Sequence, residues 1–291
     1  MKYFLAFSEQ SLLSGFYSDM IKVAVKSAQQ STELQPHFIF DGSACELTDW
    51  LSERNVPVCL SRSRFFPYLK EIADKTHRPE VFWIGSGAFL RFEIPSVMAS
   101  LGLDDEYVLY TDCDVLFQHD PVPMLKSLAP RVFAVAPEFD PTDWVNFNSG
   151  VMLMNVPAFR AALPQFEAFC EHHLDTMVLD SYDQAALRAY FGQSADRLPV
   201  ELNWKPYWGR HDGASIIHFH GPKPFHRFVD DYAYPHLLND QFLEYAKAWD
   251  AVLASTCPLR GQGGANLTLR GRIEDRMRAL WRDRAFRRRQ P

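Results

Sequence analysis

Two aspartates spaced two residues apart, Asp112 and Asp114, carry the clearest chemical signal in the sequence. They follow residues 107–111 (Tyr-Val-Leu-Tyr-Thr), an apolar run with the composition of a buried β-strand. In an extended backbone successive side chains alternate between faces, so the two carboxylates are predicted to point the same way and Cys113 the opposite way. Such a pair repels unless a cation lies between its members, and oxygen ligands suit Mg²⁺ or Mn²⁺, which then hold phosphates. The alternative is a solvated turn that arose by chance.

This mutual repulsion makes Asp112 and Asp114 unlikely stabilisers of the fold. Replacing either by asparagine is therefore expected to abolish a metal-dependent reaction without unfolding the protein.

A second segment, residues 216–225 (Ile-Ile-His-Phe-His-Gly-Pro-Lys-Pro-Phe), runs a short apolar strand into a turn with two histidines and a lysine. One imidazole together with two carboxylates would form a mixed nitrogen and oxygen site, which suits Mn²⁺ better than Ca²⁺. His218 and His220 are two residues apart and could share one face, so either could be the ligand. Prolines on both sides of Lys223 restrict the backbone there. The alternative for Lys223 is a solvated surface position.

A third segment, residues 147–155 (Phe-Asn-Ser-Gly-Val-Met-Leu-Met-Asn), places a small polar triplet before another apolar run. In this order, the three segments resemble the signature of the family 8 glycosyltransferases. These are retaining enzymes of the GT-A fold that move a hexose from a nucleotide donor, commonly UDP-glucose or UDP-galactose. The resemblance covers roughly residues 1–225 and extends to Arg91, to the Asp183-Gln184 pair and to residues 198–203 (Leu-Pro-Val-Glu-Leu-Asn).

The resemblance implies a role for each matching residue. Asp112, Asp114 and His218 would hold Mn²⁺, with Mg²⁺ as the alternative cofactor. Lys223 would contact the donor phosphates and Arg91 would lie near the donor sugar and phosphate. Asp183 and Gln184 would contact the hexose as the candidate catalytic pair, although Asp183 could instead cap a helix. The other positions implied in nucleotide-sugar binding are Ala6, Phe7, Ser8, Asp41, Cys113, Asn148, Ser149, Gly150 and Gly221.

Two further features concern the turn and the acceptor. The spacing from Gly221 to Lys223 is one residue shorter than the family pattern, and Phe225 stands where tryptophan is common. Asn203 is expected to line the acceptor cleft, where a saccharide or glycolipid would bind.

Apolar strand-like runs alternate with helical patterns along the chain. Strands are predicted at 3–7, 36–40 and 56–60, and helices at 16–29, 46–54, 157–173 and 178–190. A further apolar pattern at 232–253 is expected to close the domain. This alternation predicts an α/β domain with a mainly parallel, Rossmann-like sheet, the GT-A type of fold, over residues 1–258. In such sheets ligands bind at the carboxyl ends of strands, which is where the Asp-x-Asp pair lies. A flexible linker at 259–269 and a basic amphipathic helix at 270–291 are predicted to follow.

Composition narrows the class of protein. The 291 residues are 47% hydrophobic and 23% charged, as in globular proteins, and the net charge of −6 argues against a nucleic-acid binder. Five cysteines without a CxxC pattern are typical of free thiols in a reducing compartment. The apolar run at the start of the sequence is too short for a signal peptide, and no apolar run is long enough to span a membrane. These features predict a cytoplasmic enzyme.

The C-terminal segment, residues 270–291, contains nine arginines against three acidic residues. Its apolar residues fall on one helical face, opposite the arginines. Such a helix can lie on an anionic membrane surface, so the enzyme is expected to be peripheral on the inner face of the membrane. The alternative is a helix docked on the domain with a solvated basic end.

Two other functions compete with glycosyl transfer. A sugar-phosphate nucleotidyltransferase would be expected to show a Gly-rich basic loop after the first strand, and residues 7–11 (Phe-Ser-Glu-Gln-Ser) show none. A non-catalytic nucleotide-sugar binding protein remains open, because only turnover distinguishes it from an enzyme.

Overall fold

The computed structural model describes residues 1–14, 16–229 and 232–256. The predicted linker at 259–269, the predicted tail at 270–291 and the predicted domain end at 258 lie outside these residues.

A seven-stranded sheet forms the centre of the fold, with a two-stranded sheet beside it. The strands are β1 (Lys2–Ser8), β2 (Gln35–Asp41), β3 (Val58–Leu60), β4 (Tyr107–Thr111), β5 (Val115–Phe117), β6 (Phe133–Pro137), β7 (Phe147–Asn155), β8 (Asp196–Arg197) and β9 (Ile216–His218). The large sheet has the order β3-β2-β1-β4-β7-β6-β8, and β5 pairs with β9. Within the large sheet, neighbouring strands are parallel except at β7, which runs antiparallel to both β4 and β6. The predicted α/β fold with a mainly parallel sheet is confirmed.

Helices cover both faces of this sheet. The α-helices are α1 (Phe16–Ser31), α2 (Glu46–Ser52), α3 (Phe66–Thr76), α4 (Pro79–Ala88), α5 (Ile94–Ser100), α6 (Val122–Lys126), α7 (Val156–Met177), α8 (Asp183–Phe191) and α9 (Asp240–Thr256). Short 3₁₀ helices span Glu9–Ser14, Phe89–Glu93, Gly192–Ser194, Val200–Leu202, Pro206–Trp208, Pro224–Phe228 and Pro235–Leu237. Within the described residues, no helix is both long and apolar enough to span a bilayer.

The first strand shows why its sequence is apolar throughout. Tyr3, Leu5 and Phe7 of β1 belong to one hydrophobic core with α1, α2 and α9, whereas Phe4 and Ala6 belong to a second core on the other face with α3, α4, α5, α7 and α8. Because β1 is buried on both faces, it has no polar alternation, as is typical of parallel strands between helical layers.

One predicted element differs from the structure. The helix predicted at 178–190 begins only at Asp183, because residues 178–182 form turns and Tyr182 has a φ of 53°. The apolar pattern at 232–253 contains the 3₁₀ turn Pro235–Leu237 and the start of helix α9 at Asp240. The polar triplet at 148–150 lies within β7.

Candidate active site

Asp112, Asp114 and His218 come together where β4 and β9 end and β5 begins. Each offers one ligand atom, and these atoms all lie within 4.8 Å of one another. The antiparallel β5–β9 pair sets Val115 opposite His218, which brings the histidine to the second aspartate. His220 is not part of this group, because its ring contacts other residues described below. The structure therefore favours His218 over His220 as the candidate ligand.

The two aspartates converge through a bend and not along a strand. β4 ends at Thr111, and residues 112–114 connect it to β5 without strand pairing. Two main-chain hydrogen bonds set this bend: the Asp112 N–H donates to the Gly150 carbonyl at 2.7 Å, and the Phe219 N–H donates to the Asp114 carbonyl at 2.9 Å. The prediction of an extended Asp-x-Asp was wrong. The Cys113 side chain is buried in the hydrophobic core, so only its main chain is available to a ligand.

The His218 ring is held in the form that a metal ligand requires. Its Nδ1 lies 2.9 Å from Asn203 Oδ1, and the amide nitrogen of Asn203 donates to Asn148 Oδ1 at 3.1 Å. Because Asn203 presents its oxygen, His218 Nδ1 carries a hydrogen and Nε2 is the ring atom that faces the aspartates. Asn203 is completely buried. The expectation that it lines an acceptor cleft was therefore wrong, and its observed contact is the metal-site histidine.

Asp114 is buried among positive groups. One carboxylate oxygen, Oδ2, pairs with Lys223 Nζ. The other, Oδ1, lies 3.3 Å from His218 Nε2 but has no hydrogen-bond partner among the described residues. Burial alone would raise the pKa of Asp114, yet Lys223 and His218 hold it well below its usual range. This pairing argues against the expectation that neither aspartate contributes to stability, because removing Asp114 would leave Lys223 buried without its anion.

Gly150 leaves the space in which these groups meet. A Cβ at this position would lie 2.3 Å from His218 Cε1, 2.8 Å from Asp112 Oδ2 and 2.9 Å from His218 Nε2. Gly150 has no positive φ, so its backbone conformation is open to other residues and only the crowding requires glycine. With the buried unpartnered oxygen of Asp114 and the oriented imidazole, this cradle fits a divalent cation.

Arg91 holds two of the candidate site carboxylates. It is 3% exposed, and its guanidinium lies 2.8 Å from Asp112 Oδ1 and 3.0 Å from Asp183 Oδ2. Arg91 also donates to the Ser149 carbonyl at 2.6 Å, and its guanidinium carbon lies 4.3 Å from the centre of the Tyr110 ring. These contacts make Arg91 a positioning group for both acids. A direct contact with the donor stays a prediction.

Asp183 and Gln184 open α8 and face the polar triplet of β7. Ser149 Oγ donates to Asp183 Oδ2 at 3.2 Å, and Gln184 Oε1 accepts from Asn148 Nδ2 at 3.0 Å and from the Ser149 N–H at 2.9 Å. Burial raises the pKa of Asp183 to about 6, although Arg91 acts against this rise. The structure thus brings together the predicted catalytic pair and the predicted sugar-binding triplet.

The turn that carries Lys223 packs against α1. Gly221 adopts a φ of 76°, a left-handed conformation that favours glycine, and Phe225 stacks on Phe16 with ring centroids 4.4 Å apart. Lys223 Nζ also donates to the Phe219 carbonyl at 3.1 Å. Burial lowers the pKa of Lys223, but Asp114 raises it by more, so the ammonium stays charged beside the candidate metal ligands.

The predicted nucleotide-binding residues lie at the same edge of the sheet. Ser8 pairs with Asp41 at the carboxyl ends of β1 and β2, and the β1–β4 register sets Phe4 opposite Tyr110. Both strands then run on toward the edge of the sheet where β4 ends at Thr111. Asp41 accepts from Arg62 Nε at 3.1 Å, and its second carboxylate oxygen is buried without a hydrogen-bond partner among the described residues.

Sequence reasoning missed a carboxylate next to Gln184. Glu138 Oε1 accepts from Gln184 Nε2 at 2.9 Å, and Glu138 Oε2 lies 2.5 Å from Arg188 Nη2. His220 Nε2 is 3.3 Å from Glu138, and its Nδ1 is 2.8 Å from the Tyr207 hydroxyl. Glu138 directly follows the apolar run of β6, so the rule that places acids at strand ends would have found it.

A buried lysine was missed as well. Lys205 is completely buried, donates to the Pro137 carbonyl at 2.6 Å and lies 4.4 Å from the Trp208 ring centre. Burial holds its pKa well below the usual range. The aromatic residues around it in the sequence, at 204, 207 and 208, are the only sign of its environment that the sequence gives.

Comparison with known proteins places the fold. No family model matches the chain, and no curated protein matches it. Among solved structures, the galactosyltransferase LgtC in complex with donor and acceptor sugar analogues matches with a TM-score of 0.61 and 16% identity, over 89% of this chain and 98% of LgtC. The apo form of the glycosyltransferase GlyE from Streptococcus pneumoniae TIGR4 matches with a TM-score of 0.59 and 16% identity, over 87% of this chain and 62% of GlyE.

Mouse xyloside xylosyltransferase 1 is a third match, with a TM-score of 0.53 and 14% identity over 76% of this chain and 97% of the mouse protein. At these identities the likeness shows the fold alone. The chain has the GT-A fold of glycosyltransferases, as the sequence predicted.

Proposed function

We propose that this protein is a metal-dependent retaining glycosyltransferase of family 8 that transfers glucose or galactose from a UDP-sugar to a saccharide or glycolipid acceptor. Synthesis of a bacterial cell-surface glycan, such as lipopolysaccharide or capsule, is the expected setting. The cluster of Asp112, Asp114 and His218 carries the proposal, because it lies beside Lys223 on a fold shared with LgtC. LgtC was solved with donor and acceptor sugar analogues, and an active-site variant of LgtC was solved separately.

The charges of the site suit departure of a diphosphate. When the bond between the anomeric carbon and the diphosphate breaks, negative charge grows on the leaving group. Mn²⁺ bound by Asp112, Asp114 and His218 would supply Lewis-acid stabilisation of that charge. Lys223 adds a second fixed positive charge from the neighbouring turn, and removing one such preorganised group typically costs about 10²–10³-fold in rate.

The remaining residues of the site orient the donor. Asn148, Ser149 and Asp183 present polar groups that match sugar hydroxyls, and Arg91 fixes the Asp112 and Asp183 carboxylates. The ends of β1 and β2, with the unpartnered oxygen of Asp41, offer the uridine a place at the same edge of the sheet. The metal, the diphosphate and the hexose would therefore lie one after another along the same edge of the sheet.

A donor screen tests the proposal. The protein is incubated with Mn²⁺ and, in turn, UDP-glucose, UDP-galactose and the matching ADP- and GDP-sugars, and nucleotide release is measured. We expect slow hydrolysis of one UDP-hexose that stops on chelation, with the anomeric configuration retained in the first product seen by NMR. Undiminished turnover after exhaustive chelation would refute the metal role.

Matched variants separate the two histidines. His218→Ala should remove Mn²⁺ binding and activity, whereas His220→Ala should leave Mn²⁺ binding close to that of the wild type. The reverse ranking would mean that His220 is the ligand. Tight binding of a UDP-sugar without release in any acceptor mixture would favour a binding protein over an enzyme.

A further inference from the structure

A continuous network of buried polar groups joins the candidate metal site to Gln184 and ends on Glu138. It runs from His218 through Asn203 and Asn148 to the Gln184 amide, with separations of 2.9, 3.1 and 3.0 Å, and then 2.9 Å to Glu138. Each of these residues is at most 8% exposed. Glu138 touches none of the three candidate metal ligands, and the proposed mechanism gives it no task.

The Gln184 amide can be oriented without ambiguity. The Ser149 main-chain N–H, which can only donate, lies 2.9 Å from one atom of the amide, so that atom must be the oxygen. The same oxygen accepts from Asn148, which occupies both of its lone pairs. The Gln184 nitrogen therefore faces Glu138, and one of its two hydrogens remains without a partner among the described residues.

Glu138 is fixed from the opposite side. Arg188 Nη2 lies 2.5 Å from Glu138 Oε2, and the Arg188 Nε donates to the Phe147 carbonyl at 2.8 Å. Burial would raise the pKa of Glu138, but hydrogen bonds from His220, Arg188 and Gln184 lower it to about 2. As an ionised carboxylate, Glu138 only accepts hydrogen bonds. A flipped Gln184 amide would set two oxygens against each other at this contact.

We propose that Glu138 is a positioning residue that holds the Gln184 amide with its oxygen turned into the protein and an N–H available to the donor sugar. Under this arrangement Gln184 acts as a hydrogen-bond donor. Its carbonyl oxygen is not the nucleophile, because both lone pairs are engaged by Asn148 and Ser149. The inference rests on the proposed transferase function, but the orientation itself can be tested without turnover.

The test uses Glu138→Gln, Gln184→Glu and the double exchange of the two, with Glu93→Gln as a matched control. Glu93 pairs with Arg64 at 2.9 Å. The side chains of Arg64 and Glu93 are 21% and 8% exposed, which matches the 21% and 10% of Arg188 and Glu138. Urea unfolding gives stability, and initial rates with the active UDP-hexose separate kcat from KM.

Glu138→Gln should lower kcat at least about tenfold, because small misplacements of reacting groups cost up to about 10²-fold. The KM for the UDP-hexose and the affinity for Mn²⁺ with UDP should change little. Glu93→Gln should lose comparable stability with kcat unchanged. A wild-type kcat in Glu138→Gln would overturn the positioning role.

The double exchange shows whether activity needs the Gln184 amide in this orientation or only needs every hydrogen-bonding group in the network to have a partner. Gln184→Glu alone sets two carboxylates at the 2.9 Å contact, so it should be less stable than wild type, increasingly so above pH 6. Adding Glu138→Gln restores a donor–acceptor pair and should recover stability, but not kcat, since no N–H then faces the sugar. A double variant with wild-type kcat would overturn the inference. A wild-type protein inactive with every UDP-hexose would instead refute the proposed function, while the stability comparison would still test the orientation.

Discussion

Substitution of Gly150 by alanine should remove metal binding without removing any candidate ligand. The added Cβ would lie 2.3 Å from His218 Cε1 and 2.8 Å from Asp112 Oδ2. Carbon atoms in contact are about 3.5–4.0 Å apart, so the His218 ring must move by at least about 1 Å. A shift of the backbone would not spare the site, because the Gly150 carbonyl accepts from the Asp112 N–H at 2.7 Å and would displace Asp112 as well.

The expected magnitudes follow from that displacement. Ligand distances in metal sites are set to within about 0.2 Å, so a shift of about 1 Å should lower Mn²⁺ affinity by at least about 10–100-fold. Overpacking costs about 1–3 kcal/mol, offset by about 0.4–1 kcal/mol from reduced chain entropy of the unfolded state. The net loss in free energy of unfolding should be between about 0 and about 2.6 kcal/mol.

The assay is an Mn²⁺ titration followed by electron paramagnetic resonance, with and without UDP, alongside urea unfolding. Gly213→Ala is the control, because its Cβ would meet only the ring of His211, at 3.2 Å for the nearest atom. It shares the change in chain entropy, and its added Cβ would approach none of the three candidate ligands within 4 Å. If Gly150→Ala binds Mn²⁺ as the wild type does, the three groups do not form a metal site.

Three further predictions address charge and the C-terminal segment. Asp114→Asn should lose about 3–5 kcal/mol of stability, because a buried lysine loses its anion. Asp112 is more exposed, so Asp112→Asn should lose clearly less stability, although both variants should lose Mn²⁺ binding. Equal losses of stability in urea unfolding would contradict this. The pKa of about 6 at Asp183, raised from 3.8, means that the folded protein binds more protons than the unfolded chain between those values. This carboxyl should therefore lower stability by up to about 3 kcal/mol as pH rises through that window, and Asp183→Asn should lack that fall in urea titrations from pH 4 to 7. Through residues 270–291, the protein should sediment with anionic vesicles at about 0.1 M salt and be released at about 1 M salt, because the screening length shortens. If a chain that ends at Gly264 unfolds, or if the intact protein does not bind the vesicles, a docked helix is the better account.

The sheet and the main site residues could be predicted because their signals are local. An apolar run that ends in acids marks the carboxyl end of a strand, and this is how residues 107–114 pointed to the site. The bend at 112–114 could not be read in this way, since it depends on main-chain contacts with Gly150 and Phe219. The helices between Phe66 and Ser100 were not predicted, and they complete the second hydrophobic core.

Contacts between distant parts of the chain account for the other misses. Asn203 was assigned to an open cleft because it follows a family-like segment, yet folding buries it against His218, 15 residues further along. The pairing of Asp114 with Lys223 was not anticipated, because repulsion from Asp112 is visible in the sequence, whereas a partner 109 residues away is not.

The antiparallel strand β7 explains how one short segment can serve both halves of the site. The Asn148 side chain and the Ser149 main-chain N–H donate to the Gln184 amide oxygen, and the Ser149 carbonyl accepts from Arg91. Gly150 leaves space for the His218 ring, and its carbonyl accepts from the Asp112 N–H. A register shift of β7 by one residue would reverse which side chains face the site, so it would disturb the candidate metal cluster and the proposed sugar-binding residues together. β7 pairs with β4 over residues 151–155 and with β6 at residues 147–148 and 152–154, so its register is specified on either side of the irregularity near 149–151. The stability of the sheet and the geometry of the proposed reaction are therefore set by the same hydrogen bonds, and substitutions within 148–150 should affect metal binding and donor binding jointly.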